Sequence, residues 1–269
     1  MNTLEKIIAY KQEEVAELKK LYPIELLKQQ LYYAAPSVSL KQYILDPEKS
    51  GIIAEFKRKS PSEGIINKHA QVEEVSIGYM QAGSSALSIL TDKPSFGGSL
   101  EDLRVARKFN YCPILRKDFM VDAYQVYEAK ANGADAILLI AAAISREKVI
   151  ELAALAHELG MEVLLEVHTE EELAAYVGNY VDLVGVNSRD LKTFETDLGK
   201  LEAMVNMLPS DTVKVAESGI KSADDIVRLK QLGFQGFLIG TTFMKSTHPD
   251  QACHKFSSKL SSFFNLTPS

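Results

Sequence analysis

The chain has 269 residues, 46% of them apolar and 25% charged, and a net charge of −6. This is the composition of an ordinary soluble globular protein, with room for one α/β barrel of about 250 residues or two smaller domains. The acidic balance and the lack of a basic tract argue against a nucleic-acid partner, although a few cations converging in a cleft can still hold an anion.

Two cysteines, Cys112 and Cys253, lack metal-ligand spacing and read as buried free thiols, which suits a reducing compartment. No apolar run approaches the roughly 20 residues of a membrane span. The N-terminus has acidic residues and helical periodicity where a signal peptide has an apolar core. A cytoplasmic protein with no membrane contact is the expectation.

In chain order, Leu4, Ile8, Val15 and Leu18 recur at helical spacing, which predicts a helix over residues 3–21. Pro23 ends it, and residues 24–31 read as a second short helix. Residues 39–47 lead into the first strand. The prefix, residues 1–47, contains no strand and reads as a lid or plug on the body that follows, within the same domain. Its deletion is expected to lower turnover more than it lowers folding of that body.

From residue 51 onward, apolar strands alternate with helical patterns. The strands are expected near residues 52–56, 86–90, 113–116, 136–140, 162–167, 183–186, 213–216 and 236–239, with a last helix near 249–263. Gly83, Gly133, Gly160 and Gly233 each fall where a helix should stop before the next strand. Eight evenly spaced strand–helix units over residues 48–269 predict a (β/α)8 barrel with an N-terminal helical extension. A doubly wound open sheet is the alternative, but the GxGxxG dinucleotide fingerprint is missing.

In such a barrel the C-terminal strand ends converge on one mouth. The first strand ends in Glu55 and Lys57, two residues apart and so on one side. Charge in an otherwise apolar strand is costly without a partner. A ligand is therefore favoured over a surface ion pair. Ser60 lies in the hydroxyl-rich turn that follows.

The third strand brings Arg116, Lys117 and Asp118 before Phe119, the fifth Glu166 and His168, and the sixth Asn187, Ser188 and Arg189. The seventh brings Glu217, Ser218 and Gly219, and the eighth Gly240 and Thr241. Acids, bases and amides repeated at equivalent positions point to a catalytic site. Lys117 stands alone, with no ion-pair partner evident in the sequence. Arg116 and Asp118 should face away from Lys117 as a structural ion pair. His168 reads as a solvated loop histidine facing outward. Phe96, in the loop after the second strand, reads as core or as a ligand-stacking ring. Asp190 and Asp197 read as turn or cap residues. The glycine–hydroxyl pairs Ser218–Gly219 and Gly240–Thr241 sit on the last two strands, where barrels often bind phosphate.

The segments IIAEFKRKSPSEG, LSILTDKPSFGGSLEDL, PILRKDFMVDAYQVYEA, GVNSRDLKTFETDL and VAESGI resemble the indole-3-glycerol-phosphate synthase family, and the likeness spans nearly the whole chain. The resemblance implies a (β/α)8 barrel with an N-terminal extension, acting in tryptophan biosynthesis. It implies a phosphorylated small-molecule substrate, 1-(o-carboxyphenylamino)-1-deoxyribulose 5-phosphate. The products are indole-3-glycerol phosphate, carbon dioxide and water. No cofactor or metal is implied.

Lys117 then matches the family's general acid and Glu166 its second acid–base group, with Glu55 and Asn187 completing the catalytic set. Lys57, Ser60, Phe96, Phe119, Arg189, Glu217 and Ser218 match substrate-binding positions. Gly219, Gly240 and Thr241 match the phosphate site. The departures are Ala123 for a common proline, Ser188 for a frequent asparagine, Thr241 for a serine, and a bulky Phe56. Of these, Phe56 and Ser188 are the ones that could tune activity.

A phosphoribosylanthranilate isomerase-like barrel is the alternative enzyme. It needs a cysteine at a strand end, whereas Cys112 precedes its strand. A non-catalytic, ligand-binding barrel is the other alternative, and the joint presence of Lys117, Glu166 and Glu55 argues against it. A monomer or weak homodimer is expected.

Overall fold

A computed structural model describes residues 2–178, 180–189 and 198–264. Eight parallel strands close into a barrel: β1 (Ile52–Phe56), β2 (Ala86–Leu90), β3 (Ile114–Lys117), β4 (Ala136–Ile140), β5 (Glu162–Val167), β6 (Leu183–Asn187), β7 (Val213–Glu217) and β8 (Gly236–Ile239). Each pairs with its sequence neighbour, and β1 pairs with β8 to complete the ring. The expected bounds hold within one residue. The misses matter, because β3, β6 and β7 each run one residue further and take in Lys117, Asn187 and Glu217.

The period-2 alternation of strands divides the apolar residues into two layers. Ile53, Leu115, Leu138, Leu164, Val215 and Leu238 fill the barrel interior. Their neighbours, among them Ile52, Ala54, Phe56, Leu87 and Ile89, face outward against the helices. Phe56 thus belongs to the outer packing layer. The helices start where the sequence offers capping side chains. Ser99, Asp122, Ser145, Thr169 and Ser222 each accept a backbone N–H from the first turn of the following helix. Ala123 opens the helix that Asp122 caps, and a capping box with Gln125 supplies the rigidity a proline would give. Gly83, Gly133, Gly160 and Gly233 all adopt positive φ at helix ends.

The prefix holds three helices, α1 (Thr3–Leu21), α2 (Ile24–Leu27) and α3 (Leu40–Leu45). The second is shorter than expected, and α3 was not expected at all. Ser39 caps α3 by accepting the Gln42 N–H at 3.0 Å. Leu40 and Ile44 of α3 enter the interior layer beside Ala86, Ala136 and Leu183, at the N-terminal end of the barrel. Glu162, the first residue of β5, fastens this plug: it accepts from the Ser39 hydroxyl at 2.5 Å and from the Lys41 N–H at 2.8 Å. The segment leading into β1 therefore closes the end opposite the mouth. Among the described residues no helix is long and apolar enough to cross a membrane.

The ring closes between the first and last strands, beside Gly51. Its φ is +78°, a left-handed value, and an added Cβ would lie 2.3 Å from the Gln235 carbonyl oxygen. Its own carbonyl accepts the Phe237 N–H at 2.9 Å. Gly51→Ala is expected to destabilise the fold by about 1–3 kcal/mol or more from backbone strain alone. Urea unfolding measures this, and an unchanged midpoint would show that the seam tolerates a side chain.

Candidate active site

A cavity of about 820 Å³ opens at the C-terminal ends of the strands. This is the size of a small-molecule site. The catalytic, substrate-binding and phosphate-binding positions that the resemblance implies all border it, from Glu55 and Lys57 on β1 to Gly240 and Thr241 after β8, whereas Arg116, His168 and Ser188 do not.

Lys117 ends β3 and points inward. Its Nζ donates to Glu166 Oε2 at 3.0 Å and to Glu217 Oε2 at 2.8 Å, the lysine side chain being 15% exposed. The lone lysine of the sequence thus has two partners, contributed from strands 49 and 100 residues away. Burial opposes its charge, but the two carboxylates outweigh burial and hold the ammonium well above its usual range.

The two carboxylates differ in surroundings. Glu166 also accepts from Asn187 Nδ2 at 2.9 Å, and His168 Nε2 lies 3.0 Å from its Oε1. Burial favours the neutral acid, yet Lys117, His168 and Asn187 together hold Glu166 well below the usual carboxylate range. Among the described residues, Glu217 has Lys117 alone, and its buried Oε1 has no hydrogen-bond partner. Burial, with the nearby charges of Glu166 and Glu55, pushes Glu217 up to about 7. One lysine therefore stands between a firmly ionised carboxylate and one that titrates near neutrality. Such divergence between paired groups marks acid–base sites.

Glycines make room for these carboxylates. A Cβ at Gly185 on β6 would sit 2.1 Å from Glu217 Oε1, and one at Gly240 would sit 2.4 Å from Glu55 Oε1. Glu55 and Lys57 leave β1 on the same side, as their spacing requires, and pair with each other at 2.6 Å. The pair faces the cavity and is largely buried. The turn after them is a short hairpin, Lys59–Ser60 against Gly64–Ile65. Ser60 is buried in it, and its hydroxyl accepts the Glu63 N–H at 3.2 Å. Arg189 reaches across the mouth to Ser62 Oγ at 2.9 Å. Opposite, the rings of Phe96 and Phe119 lie 6.1 Å apart, centroid to centroid. Phe96 ends a short helix, Lys93–Phe96, and lines the cavity with Phe119.

After β7 the chain turns through two successive left-handed residues, Ser218 (φ 68°) and Gly219 (φ 73°). A serine in that region is strained, and such strain gathers at functional sites. Ser188 steadies the turn by donating its hydroxyl to the Ser218 carbonyl at 3.1 Å. After β8, Gly240 starts the short helix Thr241–Met244, with no side chain capping it.

One expectation fails. His168 is 4% exposed, not solvated. It lies beyond the end of β5, where Glu172 Oε2 accepts its backbone N–H at 2.6 Å and folds the residue inward against Glu166. Burial alone would lower the imidazole, but Glu166 and Glu172 outweigh it and bring it to about 9. Arg116 and Asp118 behave as expected in pairing with each other, at 3.1 Å, and Arg116 also reaches Glu128 at 2.8 Å. Asp190 and Asp197 lie outside the described residues.

Several residues at the cavity were not expected from the sequence. Thr3, Leu4 and Ile7 of α1 line the cavity, as do Lys221 and Lys245. Lys245 pairs with Glu63 of the hairpin at 2.9 Å and so spans the mouth. Helical periodicity located α1 but carried no sign of where it docks. His168 reads as solvated and is buried, and Lys11, for which the sequence carries no signal, is buried as well.

A family model described as indole-3-glycerol phosphate synthase matches residues 4–256. A protein named indole-3-glycerol phosphate synthase from Bacteroides thetaiotaomicron is 50% identical over 253 residues, covering 94% of this chain and 96% of its own length. A protein of the same name from Hyphomonas neptunium is 44% identical, covering 90% and 92%. Among solved structures, 3-hexulose-6-phosphate synthase from Salmonella typhimurium superposes with a TM-score of 0.61 at 13% identity, covering 78% of this chain and 98% of that one. The tryptophan synthase alpha subunit from Legionella pneumophila gives 0.59 at 12%, covering 80% and 93%. Those two share the barrel and nothing finer. With the family model spanning almost the whole chain and relatives at half identity over nearly their full length, this chain belongs to the indole-3-glycerol phosphate synthase family.

Proposed function

We propose that the cavity binds 1-(o-carboxyphenylamino)-1-deoxyribulose 5-phosphate and converts it to indole-3-glycerol phosphate, carbon dioxide and water. The observation that carries this reading is Lys117, only partly exposed, held between Glu166 and Glu217 at the mouth. In ring closure the arene carbon bearing the carboxylate attacks the ketone, and the Lys117 ammonium gives its proton to the ketone oxygen. Positive charge develops on the arene–nitrogen system, and the carboxylates of Glu55 and Glu166 stabilise it. Loss of carbon dioxide leaves its bonding electrons behind and restores the arene. Departure of the new hydroxyl as water then needs a proton on oxygen and a base to take one from the five-membered ring.

Glu166 serves as that base. Lys117 depresses its proton affinity at rest, and the affinity rises once the ammonium has given up its proton. Asn187 holds Glu166 in place. Glu217, titrating near 7, keeps Lys117 oriented and can return a proton to it. Phe96 and Phe119 flank the arene, with Leu4 and Ile7 of α1 adding apolar wall. Lys57 and Arg189 are the cations for the substrate carboxylate and the sugar end, with Ser60 nearby.

The left-handed Ser218–Gly219 turn and the uncapped start at Gly240–Thr241 offer backbone N–H groups to the phosphate. The isomerase alternative loses ground, because Cys112 is buried before β3 and burial pushes its thiol up to about 12. On this reading residues 1–47 and the barrel act as one unit in the cytoplasm, as a monomer or weak homodimer. Incubating the purified protein with the substrate and following indole absorbance tests the assignment. Absence of product would reject it.

Three variants test the roles. Lys117→Ala is expected to lower kcat by about 10²–10⁴-fold with little change in KM. Wild-type turnover would remove Lys117 as the acid. Replacing Gly219 (φ 73°) with valine should raise KM sharply by blocking close backbone approach. Unchanged inhibition by inorganic phosphate would place the phosphate elsewhere.

The third variant concerns pH. Between 4.5, the ordinary value, and about 7, the folded protein keeps a proton on Glu217 that the unfolded chain has released. That proton favours folding at the acid end of this window, and the contribution is lost as pH rises through about 7. Tm of Glu217→Gln should therefore rise relative to wild type across that interval. A constant difference would contradict the raised affinity of Glu217.

A further inference from the structure

Lys11 sits in the middle of α1, among residues whose pattern is that of an exposed helix face, yet it is fully buried. Its Nζ lies 3.0 Å from Asp92 Oδ1, 3.1 Å from Asp118 Oδ1 and 3.2 Å from Glu14 Oε1. Asp92 and Asp118 are themselves buried. Burying a charge is costly unless it is paired, so an ammonium among buried carboxylates is a deliberate junction. Burial opposes the Lys11 charge, but Asp118, Asp92 and Glu14 outweigh it and hold the ammonium protonated. Asp118 is held ionised against burial by Arg116 and Lys11.

The two aspartates belong to different parts of the mouth. Asp92 follows β2 and caps the helix Lys93–Phe96, its Oδ2 accepting the Ser95 N–H at 2.9 Å. Tyr10, next to Lys11, donates to the same aspartate at 2.8 Å. Asp118 directly follows Lys117, and its Oδ1 accepts the Phe119 N–H at 2.8 Å. Its Oδ2 accepts from Thr91 Oγ1 at 2.5 Å and from Arg116 at 3.1 Å. Lys11 thus joins the segment that presents Phe96 to the segment that presents Lys117 and Phe119. One turn earlier on the same helix, Ile7 lines the cavity.

We propose that Lys11 is a positioning residue for the reaction: by clamping Asp92 to Asp118 it sets the spacing of the Phe96–Phe119 wall and the placement of Lys117. The proposal rests on the roles assigned above to Lys117 and the two rings. It also specifies how a helix outside the barrel acts on the chemistry, through one ammonium and two carboxylates. Misplacement of a reacting group by about 1 Å can cost about 10²-fold in rate.

The test uses the full chain. Lys11→Met keeps the length of the side chain and removes the charge. It leaves Asp92 and Asp118 facing each other and is expected to lower Tm as well as kcat. Lys11→Met with Asp92→Asn removes one charge of each sign, keeps a residue able to cap the helix, and leaves Asp118 its contacts with Arg116 and Thr91. The double variant should recover much of the Tm while kcat stays about ten- to a hundredfold below wild type, with KM changed far less.

A second readout does not depend on turnover. The chain contains no tryptophan, so Phe96→Trp installs a single fluorescent reporter in the wall. Adding the Lys11 and Asp92 changes to that background should make the indole more open to acrylamide quenching. Wild-type kcat in the double variant, or unchanged quenching in the reporter background, would overturn the clamp. If wild type itself forms no indole product, the reading of the site fails, and the quenching comparison still decides the clamp.

Discussion

Everything at the mouth depends on keeping one ammonium and two carboxylates out of water on the inner face of a barrel. A lysine in that position survives as a cation only because β5 and β7 bring Glu166 and Glu217 within 3.0 Å of it. Glu217 needs space in turn, which the barrel supplies by omitting a side chain at Gly185, as it does for the neighbouring Glu55 at Gly240. The interior layer below is apolar and closed at its far end by Leu40 and Ile44. The low polarizability of that layer strengthens the electrostatics of the pair. The same surroundings make the two carboxylates unequal, since among the described residues Glu166 has three polar side-chain partners and Glu217 has one.

Strand alternation sorts the charges of β3 into two separate networks. Lys117 faces inward to the cavity, while Arg116 turns outward to Glu128 and Asp118. Asp118 then meets Lys11, so the outward network runs on into the N-terminal helix. Three consecutive charged residues, Arg116, Lys117 and Asp118, thus serve both the site and its support. A one-residue slip of β3 would exchange the two sets and bury the wrong cation in the cavity. Packing of the outer face, through Arg116 and its hydrogen bond to the Gln125 carbonyl, guards against that slip.

Much of this was legible because it follows local rules. The eight apolar runs named the strands, and the polar residues at the ends of six of them named the mouth. The strand ends were placed one residue short at Lys117, Asn187 and Glu217 because a polar side chain reads as the end of an apolar run, whereas here it is the last paired residue. The solvated reading of His168 failed for a different reason, and the burial of Lys11 was not expected either. Each is buried only because carboxylates distant in sequence or beyond the strand meet it: Glu166 and Glu172 for His168, Asp92 and Asp118 for Lys11. A single sequence gives no cue for such compensation, and an unpaired charge is by default assigned to water. Helix α3 was missed because its six residues are too few to show a period, and a side-chain cap with interior packing stabilises it.

The resting mouth is already internally paired, and that shapes how an anionic substrate enters. Lys57 is held by Glu55 at 2.6 Å, and Lys245 by Glu63 at 2.9 Å. A substrate carrying a carboxylate and a phosphate therefore exchanges partners with these cations and does not meet bare ones. Exchange limits the gain in binding, because each new contact replaces an old one. It also avoids the cost of leaving a buried cation unpaired before the ligand arrives. The backbone donors at Ser218–Gly219 and Gly240 are different, for they carry no compensating charge that must be displaced. On the proposed reading, phosphate binding there would supply anchoring energy, and a carboxylate end placed beside Glu55 and Lys57 would be left more weakly held. That division suits a reaction in which the carboxylate must leave as carbon dioxide and the phosphate must stay.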